Sequence, residues 1–272
     1  MEKVENLVEL REAQDYAGSQ IFNFRKCASL KCAIELGIPD VIAQHGKPIT
    51  LSGLISALPI NPSKSIHIHR LMRFLSNAGF FVRQNEGYSL STTGRLLLKN
   101  EPFNMRAFLY YVSDPIALKP WNFLTEWFKN DDPSPFDTAH GKNFWSYAAA
   151  EPQFGKIFNE AMAGDSSLIV EVVMTQCKSV FEDLTSLVDV GGGTGEFVKA
   201  IAQNFPNLEC LVCDLPHVVS NQQRTENLDF VAGNMLEMVP PDNAILLKFN
   251  GEEWLIGKEY TYQYNSFDHL ES

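Results

Sequence analysis

The stretch with the most chemistry to offer is Leu187-Val188-Asp189-Val190-Gly191-Gly192-Gly193-Thr194-Gly195, an apolar run that breaks into glycines beside an acidic residue. Between a strand and a helix, such a turn brings backbone N–H groups up to a ligand. The dinucleotide fingerprint G-x-G-x-x-G would need glycine at 196; Glu196 stands there, and the third glycine of the pattern is Gly195. A pyrophosphate beside Asp189 and Glu196 would be repelled, whereas a ligand carrying an ammonium and a sulfonium would be attracted. Asp214 ends the next apolar run, where a carboxylate can accept hydrogen bonds from both hydroxyls of a ribose. Loop, context and Asp214 together point to a nucleoside-bearing cofactor, S-adenosylmethionine. The competing reading is a glycine turn that holds nothing.

Those residues need a frame, and from Leu184 onward strands and helices alternate. "SLVDV", "LECLVCDL", "LDFVAGNM" and "NAILLK" read as four strands, and "EFVKAIAQNF" as a helix with Phe197, Ile201 and Phe205 on one side. Alternation of this kind predicts a parallel sheet covered on both faces. From Leu7 to about Phe81 the period is helical. "SQIFNFRKCASLKCAIELGIPDVI" stops at Gly37-Ile38-Pro39, "PITLSGLISAL" carries its own cap, and "SKSIHIHRLMRFLSNAGF" ends at Gly79. "FFVRQNEGYSLS" then gives two extended runs around Asn85-Glu86-Gly87. Helices followed by a hairpin make a winged-helix pattern. Residues 102–180 are helical and rich in aromatics, which pack a core or line a flat apolar pocket.

Composition narrows the function. The formal charge is −11, from 33 acidic and 22 basic residues, which argues against nucleic acid and anionic membranes as partners. The would-be recognition helix offers only His67, His69, Arg70 and Arg73, so a structural or dimer-forming use of the winged helix is expected instead. No run approaches the ~20 apolar residues of a membrane helix, and the start, MEKVENLVELREAQ, lacks a secretory layout, so the chain is read as cytoplasmic. Cys210-x-x-Cys213 has the spacing of half a zinc site, without a second pair to complete it, and no metal is expected.

In order along the chain, "SLKCAIELGIPDVI", "RLMRFL", "KPWNFLTEWF", "NDDPSPFDTAHG", "FNEAMAGDS", "LVDVGGGTGEF", "CDLPHVV" and "AILLK" resemble the plant small-molecule O-methyltransferases of phenylpropanoids and flavonoids, the resveratrol and isoflavone enzymes among them. The match covers about residues 7 to 248. The resemblance implies an α/β chain. A helical, winged-helix-like dimerisation domain (1–110) and a helical connector contributing to the acceptor pocket (111–180) would precede a Rossmann-like, S-adenosylmethionine-binding domain (181–272). By motif position, Gly191 would meet the methionine end of the cofactor, Asp214 the ribose, and Met235 the adenine. Asn234 takes the place of the family's usual Asp beside the adenine, so weaker cofactor affinity is expected. Lys248, at the end of the fourth strand, matches a cofactor-contacting Lys. Phe144, Trp145, Phe154, Phe158 and Met162 match positions that line the pocket for a phenolic substrate.

After the fourth strand the family carries Trp-x-x-His-Asp-Trp, whose His removes the phenol proton as oxygen attacks the methyl group. Laid on that pattern, this chain has Phe249, Asn250, Gly251, Glu252, Glu253 and Trp254, so Glu252 stands at the base position. With the chain stopping at Ser272, the Rossmann-like domain is read as incomplete and catalysis as impaired, the end of the chain being altered after Lys248. Two roles follow as expectations: a crippled O-methyltransferase that forms a homodimer, or a non-catalytic partner that forms heterodimers with full-length relatives.

Overall fold

The computed structural model describes residues 2–85, 87–235 and 237–248. Contacts divide the chain into two compact units. One joins Met1–Asp114 to Ile157–Leu247; the other is built on Pro115–Lys156 and takes in Lys248.

In the first unit, helices Phe24–Glu35, Ile38–His45, Leu51–Ala57 and Ser65–Asn77 pack their apolar stripes together around Ala33, Ile34, Ile38, Leu54, Met72 and Leu75. Gly37, at φ 74°, makes the left-handed turn between the first two, and Pro39 then opens the second at a position that needs no donor. The hairpin forms as the sequence predicts, from β2 (Phe81–Gln84) and β3 (Gly87–Leu90). A third strand the sequence does not announce, β1 (Ile49–Thr50), pairs with β3 to give the order β1-β3-β2. Thr50 serves two elements, pairing with Gly87 while its Oγ1 accepts the Gly53 N–H at 3.1 Å to cap the next helix. Asp40 ties this bundle to the segment that follows: one oxygen accepts from Arg106 at 2.8 Å and the other from the Lys99 backbone at 3.0 Å.

The same unit holds a parallel sheet of β4 (Ser186–Val190), β5 (Glu209–Asp214), β6 (Leu228–Ala232) and β7 (Ala244–Leu246), ordered β6-β5-β4-β7. Alternation along the strands sends Leu187, Val212 and Phe230 to one face, where the helix Glu196–Asn204 covers them with Phe197, Val198 and Ile201. Val188, Val190 and Cys213 fill the other face. Cys210 belongs to the first of these cores and Cys213 to the second, so strand geometry holds their thiols apart and removes the zinc reading. Burial pushes the Cys210 thiol up to about 11, with Asp242 and Asp189 adding to the effect, and raises Cys213 as well. Among the described residues no group of three metal-binding side chains occurs, and no helix is long and apolar enough to cross a membrane.

The fourth strand is shorter than "NAILLK" suggests. Its register runs Ala244 to Leu187, Ile245 to Val188 and Leu246 to Asp189. The pairing stops there, one residue short of the end of β4 at Val190. Lys248 therefore lies two residues beyond the strand rather than at its end. Among the described residues β7 pairs only with β4, and Ile245 and Leu247 are exposed.

The long helix Pro152–Gln176 links the N-terminal bundle to the sheet within this unit from Ile157 onward. Ser167 donates to the Pro102 carbonyl at 3.3 Å, while Val170 is buried in the sheet's larger core. In the second unit, Pro115 and Pro120 break the chain into short turns of helix. Rings pack that unit's core: Phe136 meets Phe144 edge-on at 5.2 Å and Tyr147 at 5.5 Å, and Tyr147 meets Phe154 at 5.8 Å. His140 lies against Phe136 and Tyr147 and, through Nε2, donates to the Ile116 carbonyl at 3.0 Å. Burial lowers its pKa, so the imidazole is held neutral.

Candidate cofactor site

The sheet's order reverses at β4, since β5 and β6 follow on one side and β7 on the other. In open α/β sheets a ligand sits beyond the carboxyl ends of the strands at such a point. The glycine loop leaves β4 there. Its turn needs glycine three times: Gly191, Gly193 and Gly195 have φ of 71°, 60° and 80°. Gly192 is required for a different reason, because a Cβ on it would stand 2.5 Å from Oδ2 of the buried Asp189. A Cβ on Gly195 would strike the Phe230 ring at 2.9 Å. A Cβ on Gly193, by contrast, would meet nothing within 4 Å, so at this point the loop borders open space.

Asp214 closes the site from β5. Its Oδ2 accepts the Gly193 N–H at 2.7 Å and its Oδ1 accepts the Leu215 N–H at 2.6 Å. A carboxylate offers about four acceptor positions, so both oxygens keep capacity for the hydroxyls of a ribose. Burial raises the Asp214 pKa, partly offset by those two N–H groups and by His217. The next strand contributes Gly233, whose N–H bonds to the Asp214 carbonyl at 2.9 Å, and then Asn234 and Met235. Met235 Sδ lies 3.9 Å from where a Cβ on Gly191 would stand. Gly191, Asn234 and Met235 thus lie in loops leaving the carboxyl ends of β4 and β6, and Asp214 ends β5 between them. Open space beside Gly193 and a carboxylate with spare acceptors fit a cationic nucleoside.

The other expected residues lie as follows. Lys248 belongs to the second unit, and Glu252 lies outside the described residues, as does the segment "KEYTYQY". Phe144 and Phe154 are buried in the second unit's aromatic core, with Trp145 half-buried beside Phe144 at 5.0 Å. Phe158 and Met162 are half-buried in the first unit, where Phe158 meets Tyr111 edge-on at 5.3 Å. The sequence reading missed the Gly193 N–H as a partner of Asp214 and missed Glu237, which accepts from Asn234 Nδ2 at 3.0 Å. A shallow cavity of about 230 Å³ beside Lys199, Gln203 and Asn227 lies at the opposite, amino end of the strands and is not part of this site.

An O-methyltransferase dimerisation domain model matches residues 19–100, and an O-methyltransferase domain model matches 121–255. Cephaeline 6'-O-methyltransferase of Carapichea ipecacuanha is 56% identical over 246 residues, 90% of this chain and 70% of that protein. The chain belongs to the plant S-adenosylmethionine-dependent O-methyltransferases. Trans-resveratrol di-O-methyltransferase of Vitis vinifera is 49% identical, with 90% of this chain and 71% of that protein covered. The fold of this methyltransferase is shared with human N-acetylserotonin methyltransferase, solved in complex with S-adenosylmethionine, at a TM-score of 0.70 and 17% identity over 86% of this chain and 70% of that one. S-Adenosylmethionine is the family's cofactor, and the loops after β4, β5 and β6 of this methyltransferase suit it.

Proposed function

We propose that this chain binds S-adenosylmethionine and a phenolic acceptor of phenylpropanoid, flavonoid or stilbene type, and that its methyl transfer to the acceptor hydroxyl is impaired. The observation that carries the binding half is the pairing of a positive-φ glycine loop with Asp214, whose carboxylate is held by the Gly193 and Leu215 N–H groups and keeps acceptor capacity. When bound, the cofactor supplies an electrophilic methyl on a sulfonium. Asp214 holds the ribose, Gly191 borders the methionine end, Asn234 and Met235 border the adenine, and Lys248 matches a cofactor-contacting position of the family by motif alone. Phe144, Trp145, Phe154, Phe158 and Met162 match the family's acceptor-lining positions by motif alone, Phe144 and Phe154 being buried in the second unit's core. The domain limits 1–110, 111–180 and 181–272 belong to the same reading.

For the phenol oxygen to attack the methyl group, a base must take its proton. At the family's His position stands Glu252, preceded by Asn250 and Gly251. A carboxylate titrates well below neutrality unless burial raises it, which makes it a poor match to a phenol. The second role, a non-catalytic partner of other O-methyltransferases in the cytoplasm, is favoured by the match to a dimerisation domain over residues 19–100. Transfer of labelled methyl groups to a phenol panel tests the first role, and turnover matching an active relative would refute impairment. Co-purification with such a relative tests the second, and finding only homodimers would remove it.

A further inference from the structure

The matched dimerisation domain differs in charge from the rest of the chain. Residues 19–100 hold 10 Lys and Arg against 3 acidic residues, and the remainder 12 against 30. The domain match implies pairing but not which faces meet. We infer that the exposed face of the helix Ser65–Asn77 receives the acidic N-terminal helix Glu2–Ile21 of a second copy. Ile68, Met72 and Leu75 bury one side of Ser65–Asn77. Helical spacing puts Ile66, Arg70 and Arg73 together on the other side. There Ile66 is 75% exposed and both arginines are exposed. Among the described residues neither arginine side chain has a hydrogen bond or ion pair.

The helix Glu2–Ile21 exposes every residue from Asn6 to Ala17. A helix with no packed face gains little stability in water, so this one too needs a partner. Glu9, Glu12 and Tyr16 form one stripe along it. Tyr16 is exposed, and neither glutamate has an ion pair among the described residues. Laid antiparallel, the two stripes match in register. The steps from Glu9 to Glu12 to Tyr16 are three and four residues, and so are those from Arg73 to Arg70 to Ile66. Glu9 then faces Arg73, Glu12 faces Arg70 and Tyr16 covers Ile66, since both helices rise by about 1.5 Å per residue. Within one chain the stripes do not cover each other, both being exposed. Exchange between two copies repeats the contact about a two-fold axis and closes the assembly.

The test measures dimer dissociation by light scattering across a dilution series of the whole chain. The wild type is compared with Arg70→Glu/Arg73→Glu, with Glu9→Lys/Glu12→Lys and with all four substitutions together. The four positions are exposed, and thermal midpoints check that each variant folds. Each double reversal should weaken the dimer roughly tenfold or more, because like charges replace attractive pairs in both symmetric contacts. The combined variant restores opposite charges with their signs exchanged, and should return to within about threefold of the wild type. Dissociation unchanged in either double reversal overturns the assignment. A combined variant no tighter than the double reversals also overturns it, and leaves dimerisation to other faces. A wild type that stays monomeric overturns the exchange and the pairing together.

Discussion

At the residue scale, the glycine loop separates binding from stability in a way substitutions can expose. Gly195→Ala puts a methyl group into the Phe230 ring on a left-handed backbone, and should cost about 1–3 kcal/mol of stability. Gly193→Ala carries the backbone cost alone, about 1–2 kcal/mol, since its methyl group meets no protein atom within 4 Å. That methyl group would enter the space assigned to the ligand, so cofactor affinity should fall more steeply in Gly193→Ala than stability does. Urea midpoints beside calorimetric titrations separate the two quantities. Asp214 adds a pH signature. Burial raises its folded-state pKa above the unfolded value, so the folded chain holds the proton more tightly. The charged carboxylate thus opposes folding above both pKa values, and that opposition is relieved as pH falls through the folded one. Ribose binding needs the charged acceptor, so affinity for S-adenosylhomocysteine should decline on acidification at a higher pH than for an unburied aspartate. Asp214→Asn should lose affinity and flatten that decline.

At the element scale, one side chain closes the end of the sheet's main covering helix. Asn227 Nδ2 faces the carbonyls of Ala202, Phe205 and Leu208 at 3.0, 3.2 and 3.2 Å, just where the helix Glu196–Asn204 runs out of internal partners. Asn227→Ala leaves those acceptors without it and should lower stability by about 1–3 kcal/mol in urea denaturation. The two buried thiols give a second check: Cys210 and Cys213 should resist alkylation at neutral pH until the chain unfolds, whereas exposed Cys32 reacts in the native state. Elements were legible where one physical signal dominated. "SLVDV" matches β4 residue for residue, because a buried parallel strand is a short apolar run closed by glycine. β1 was not legible, since two residues carry no period and Thr50 already reads as a cap. The end of β7 was not legible either, because the apolar run continues through Leu247 while the pairing with β4 stops at Leu246. Asp214 was readable from strand context. The Asn234–Glu237 contact was not, because it depends on the turn's path rather than on strand or helix spacing.

At the scale of the whole molecule, an acidic chain still exposes Leu7, Val8, Leu10, Tyr16, Ile21, Phe22 and Phe24 near its start. So much exposed apolar surface beside the matched dimerisation domain calls for a second copy to cover it. Light scattering after size exclusion should give twice the chain mass, and a monomer at micromolar concentration would count against a homodimer. The proposed function joins a cofactor site to a base position at which the sequence has Glu252. Its most direct measurement titrates the 272-residue chain with S-adenosylmethionine and then follows labelled methyl transfer to a phenol panel, with the grapevine resveratrol enzyme assayed alongside. The expected result is saturable cofactor binding with turnover roughly 10²–10⁴-fold below that enzyme, the range a general base contributes. Turnover equal to the grapevine enzyme's, or no binding of the cofactor at all, would contradict it.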